Sequence, residues 1–166
     1  MTSPIRFIVL LMLLMGCAKL KSTTQSEELT PYIKRLKTDY FIITGEQLNT
    51  RIPMSIKELD SGKGAICHKE KGLMNSTKEI FVNRSIFERH KDSYDYITTI
   101  ILHEVGHCIY GFEHDTSVMK MGNVDVPTSI MHESALRTIP LMNELKEYYY
   151  KEFSERVKLK NLRLLK

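Results

Sequence analysis

Hydrophobic positions along the chain follow two alternating rhythms. Between Glu27 and about Lys37, Leu29, Ile33 and Leu36 recur at helical intervals. Acids open that stretch and Lys34, Arg35 and Lys37 close it, as the helix dipole favours. Tyr40 to Thr44 (YFIIT) is apolar and partly β-branched, and reads either as a first strand or as an extension of the helix. Three strand candidates follow, Arg51 to Leu59, Gly64 to His68 and Glu79 to Asn83, punctuated by Gly62, Gly64, Gly72 and Asn75. In the third, Ile80 and Val82 share a face; it could be a purely structural strand or the edge along which an extended peptide pairs. Helical spacing then returns with Ile97, Ile100, Ile101, Val105, Cys108 and Ile109. Asp92 or Ser93 can cap this helix, and Gly111 can end it. Residues 113 to 130 are loop-rich, with Gly122, Asn123 and Pro127. A last helix opens at Thr138 to Pro140 and carries Leu141, Leu145, Phe153 and Val157. The pattern predicts an α+β fold: a small mixed sheet packed on the helix around residue 103, with a C-terminal helix.

Composition adds an address. The chain has 166 residues, 27% charged and 42% hydrophobic, enough for one modest globular domain. A net charge of +4 without a basic, aromatic-studded patch predicts no nucleic-acid partner. Arg6 precedes an apolar run, Phe7 to Leu14, too short to span a bilayer. The following Leu14-Met15-Gly16-Cys17 resembles a bacterial lipobox, which implies cleavage before Cys17 and lipid on its side chain. Residues 1–16 are then a lipoprotein signal peptide, residues 17–25 the lipidated Cys and a polar tether, and residues 26–166 a single domain. The acyl chains would anchor the protein to a membrane of the bacterial cell envelope, outside the cytoplasm, on the periplasmic side or the cell surface. Cys67 and Cys108 would remain, an even pair suited to a disulfide in an oxidising compartment; the alternative is two unrelated thiols.

The chemistry concentrates in His103-Glu104-Val105-Gly106-His107. One helical turn separates the two histidines, so both imidazoles can reach one metal, and Glu104 lies beside them where it can accept a proton from water. His114, Glu113 and Asp115 follow the Gly111 turn, each a candidate third ligand. His68, His90 and His132 have no partner pattern and read as surface or packing residues.

Together with Ser129-Ile130-Met131-His132, this stretch resembles the metzincin clan of zinc peptidases, most closely the small bacterial lipoproteins with an H-E-x-G-H-C core. The resemblance spans roughly residues 64 to 150. It implies a zincin-like fold, one Zn2+ held by His103, His107 and His114, Glu104 as general base, Met131 in a Met-turn below the metal, and a peptide or protein substrate. It also implies the reaction: peptide-bond hydrolysis by zinc-activated water. One residue more than the clan's usual spacing lies between His107 and Gly111, so the helix must overwind, bulge or run on before it turns. The clan's catalytic Tyr, two residues after the Met in some members, is Glu133 here. Two rival readings stand beside this one. A thermolysin-type site would take a downstream Glu such as Glu133 or Glu144 as third ligand. A metal-binding or adaptor lipoprotein would carry the site without catalysis.

Overall fold

The computed structural model describes residues 25–60, 62–71, 76–133 and 142–164. The signal segment, Cys17 and the Thr138 to Pro140 helix start lie outside the described residues. A single 3-10 turn, Glu27–Leu29, leads into α1 (Thr30–Thr44). Tyr40 to Thr44 is therefore helical. Gly45 ends α1 at φ 74°, a left-handed cap that a residue without Cβ adopts freely.

Strands β1 (Met54–Lys57), β2 (Ala65–Lys71) and β3 (Ser76–Asn83) form one mixed sheet in the order β1-β3-β2. β1 runs parallel to β3, with Met54 opposite Ile80. β2 runs antiparallel to β3, with Cys67 opposite Ile80. The strand expected over Arg51 to Leu59 is shorter, and that expected to end at His68 continues to Lys71. A short helix that the hydrophobic pattern did not single out, α2 (Arg84–His90), is capped by Asn83, whose side chain accepts the Ser85 N–H.

Helix α3 (Tyr94–Val105) carries the two-histidine motif and continues as a π-helical turn, Gly106–Tyr110. A π turn holds one residue more than an α turn. That is how the chain absorbs the extra residue before Gly111, which closes the turn at φ 61° with its N–H on the Gly106 carbonyl. The stretch from 113 to 130, expected as loop, contains a small hairpin of β4 (Val118–Met121) and β5 (Val124–Pro127), turned at Gly122 and Asn123. Helix α4 (Met142–Leu164) completes the described chain.

One core joins these parts. Ile80 and Val82 of β3 and Met54 of β1 meet Ile97, Ile101 and Val105 of α3, while Leu36 and Tyr40 of α1 and Tyr149, Tyr150 and Phe153 of α4 close the other side. Each is nearly or fully buried, and burying such a side chain stabilises by about 1.5–3 kcal/mol. Lys146 of α4 reaches Asp39 of α1 at 2.5 Å and Asp95 of α3 at 3.0 Å, so a charge cluster spans three helices at the edge of that core. No helix among the described residues is long and apolar enough to cross a membrane.

Candidate metal centre

Three imidazoles converge at the end of α3. His103 and His107 project from one face, and the turn at Gly111 returns the chain so that His114 faces them. His107 Nε2 lies 3.0 Å from His103 Nε2 and 3.1 Å from His114 Nε2. All three ligand atoms fall within 4.8 Å of one another. Two nitrogens bound tetrahedrally to one zinc would be about 3.3 Å apart, close to this spacing.

The tautomers explain why the cluster fits a cation. His103 Nδ1 donates to the Ile130 carbonyl at 2.7 Å, and His107 Nδ1 donates to the Phe112 carbonyl at 2.6 Å. A carbonyl only accepts, so each neutral ring keeps its proton on Nδ1 and turns a bare lone pair inward on Nε2. Both rings are held neutral. Burial lowers the pKa of His103 to about 4, with smaller contributions from His107 and His114. Burial also lowers His107, helped by His114 and Lys69. Lone pairs 3.0 Å apart repel when nothing lies between them and are satisfied together by a metal ion.

Glu104 is 8% exposed and accepts a hydrogen bond from the Cys67 backbone amide. Burial raises its pKa to about 7, and that hydrogen bond only partly offsets the rise. A carboxyl group poised near neutrality can both take and return a proton. Its partner on β2 is fixed by a disulfide: Cys67 and Cys108 are joined, with an S–S distance of 1.97 Å and Cα atoms 5.4 Å apart. The bridge fastens strand β2 to the π turn.

Beneath the histidines lies the turn from Ser129 to His132. Met131 N–H bonds Ser129 Oγ at 3.0 Å, and His132 N–H bonds the Ser129 carbonyl at 3.1 Å. Met131 is fully buried against Gly106, where an added Cβ would stand 2.4 Å from its sulfur. The same turn supplies the Ile130 carbonyl that orients His103.

The other candidate ligands are elsewhere. Asp115 pairs with Arg156 of α4, and its N–H bonds the Met131 carbonyl at 3.1 Å. It tethers the segment after His114 to the turn and to the last helix. Glu113 is exposed and not among the clustered ligand atoms. Glu133 lines the same cleft without joining the cluster, and Glu144 is exposed on α4.

The centre opens into a cleft of about 450 Å³, walled by β2 on one side and by Ile100, Glu104 and the histidines on the other. The strand beside the cleft is β2. Glu79 to Asn83, weighed from sequence as a peptide-pairing edge, lies in β3, the central strand, with both of its edges occupied. Sequence reading also missed the Cys67 amide on Glu104 and the Arg156 tether. No sequence pattern marks a backbone amide or an arginine 41 residues beyond its partner. Gly106, lying between the two motif histidines, was the one visible signal of close packing below the helix.

Comparison with protein-family models, with curated proteins and with solved structures found no match to this chain.

Proposed function

We propose that this chain is a zinc-dependent peptidase with a zincin-like, metzincin-type site, held at the bacterial cell envelope by lipid on Cys17. The observation that carries the reading is the convergence of three imidazoles, His103 and His107 among them neutral with inward lone pairs, beside a buried carboxyl group tuned to about 7. His103, His107 and His114 would hold the metal, which supplies Lewis acidity for activating a water and polarising a carbonyl. The Ile130 and Phe112 carbonyls hold the first two rings in register for that role. Glu104 takes the proton of the attacking water and gives it to the leaving amine. The Cys67 amide orients the carboxyl group, and Ile100 and Ile66 help to limit solvent along the cleft.

The adaptor reading shares the metal and differs in the chemistry. Both are separated by Glu104→Gln in the zinc-loaded protein, with digestion of a peptide library as readout. Metal content should stay near one zinc per chain, and cleavage should fall by about 100-fold or more. Equal cleavage by the variant would remove Glu104 from the mechanism. Zinc binding with no cleavage by the wild type would favour the adaptor.

A further inference from the structure

The free edge of β2 carries a charge that nothing in the described protein answers. Ile80 N–H points to the carbonyl of Pro53, just before β1, so its β2 partner Cys67 turns its own backbone groups away from β3, the N–H to Glu104 and the carbonyl to the open edge. Ala65 and Lys69, two residues to either side, have the same outward orientation and line the cleft. The Cys67 side chain points to the π turn, where it bonds Cys108, and Lys69 projects from the same face of the strand. Across β3, Lys69 is paired in register with Lys78, a like charge, and Lys78 Nζ is committed to the Cys108 carbonyl at 2.9 Å. Lys69 forms no ion pair among the described residues. Like charges directly opposite on a sheet are unfavourable, and an acid on the third strand would relieve them.

We propose that the cleft selects peptides with an acidic side chain on the residue that pairs with Lys69, two positions from the residue opposite Cys67. This rests on the peptidase reading. A peptide strand added to β2 places its side chain opposite Lys69 on the same face as the lysine, with Cβ atoms about 4.5–5.5 Å apart. The residue opposite Cys67 lies beside Glu104, where the scissile bond is attacked. The acid therefore falls at a fixed offset from the cleaved bond. Lys63 lines the far end of the same wall but stands 4.0 Å from the Asp60 carboxylate, so the open charge is that of Lys69; Glu133, the exposed carboxylate of the cleft, follows the Met131 turn instead.

The test is digestion of a randomised peptide library by the zinc-loaded full-length protein, with product sequencing. Asp and Glu should be enriched over Lys and Arg by about tenfold at one position near the new terminus, an effect that shrinks in high salt. Lys69→Met should abolish the enrichment, and Lys69→Glu should invert it at the same position, both with unchanged zinc content. Enrichment that is absent, or that persists in Lys69→Glu, overturns the proposal. Fluorescence anisotropy with matched Glu-rich and Lys-rich peptides makes the test independent of catalysis. If nothing is cleaved but the Glu-rich peptide binds about tenfold tighter, and loses that advantage in Lys69→Glu, the cleft preference stands and the hydrolytic reading fails. Equal binding of the two peptides, without cleavage, overturns both.

Discussion

Replacing Gly106 by alanine should loosen this protein, although helix propensity alone says the opposite. The residue has helical angles, φ −55° and ψ −49°, where alanine is favoured over glycine by about 1 kcal/mol. A Cβ at that point would stand 2.4 Å from Met131 Sδ, 3.0 Å from Met131 Cε and 3.1 Å from Phe153 Cε2. Comfortable contacts begin near about 3.5 Å, so the sulfur would have to retreat by about 1 Å. Methionine is pliable, and at a surface it would swing aside at little cost. Here Met131 and Phe153 are both fully buried, so the displacement is passed into packed neighbours at a cost of about 1–3 kcal/mol. The net expectation is a loss of up to about 2 kcal/mol, a fall in Tm of up to about 6 °C. Urea or thermal unfolding of Gly106→Ala, Met131→Ala and the double variant measures it. Met131→Ala alone leaves a cavity worth about 2–5 kcal/mol, which the methyl introduced by Gly106→Ala then partly fills. The double variant should therefore beat the sum of the singles by about 1 kcal/mol or more. A Gly106→Ala protein more stable than the wild type by the full propensity gain of about 1 kcal/mol, or effects that add to within about 0.5 kcal/mol, would refute close packing of Met131 on the motif helix.

Two further outcomes follow from the covalent and ionic ties. The Cys67–Cys108 bridge closes a loop of 41 residues, so replacing both cysteines by alanine should cost about 4 kcal/mol by chain entropy, read as a lower urea midpoint. A midpoint unchanged within error would mean that the bridge does not constrain the unfolded chain. Burial alone would raise the pKa of Asp39, but hydrogen bonds from Lys146 and Arg35 outweigh it and hold the group below its ordinary 3.8. Its stabilisation is therefore complete above the unfolded value and is lost as pH falls through the lower folded one. Asp39→Asn should be less stable than the wild type by about 1–3 kcal/mol at pH 7, with the gap closing on acidification. A gap that widened instead would reverse the sign of this pair.

The parts of this protein that could be seen in its sequence are those built on local spacing. Leu29, Ile33 and Leu36 announced α1, and the four-residue step from His103 to His107 announced a shared face. Tyr40 to Thr44 was ambiguous because β-branched residues fit both states, and packing of Tyr40 against Tyr150 and Phe153 settled it as helix. The β4–β5 hairpin was hidden because its strands are four residues long, and β4 alternates between exposed and half-buried positions without an apolar–polar alternation in its sequence, Val-Met-Lys-Met. Sheet order was beyond reach for another reason: which strand is central depends on partners distant in the chain, so spacing alone could not separate the structural reading of Glu79 to Asn83, which the sheet order favours, from the peptide-edge reading. His114 was preferred to Glu113 and Asp115 from its Gly-x-x-His spacing after Gly111, and the wide turn is what brings it to the other two rings.

That wide turn separates two measures of the site, its spacing along the chain and its spacing in space. A loop of hydrogen bonds that admits one residue more lets the backbone gain a unit without moving its end point, since Phe112 still returns its N–H to the Gly106 carbonyl at 3.0 Å. The second and third imidazoles are seven residues apart along the chain and 3.1 Å apart in space. Motif rules that count residues measure the length of the thread, whereas a metal responds only to where the thread arrives.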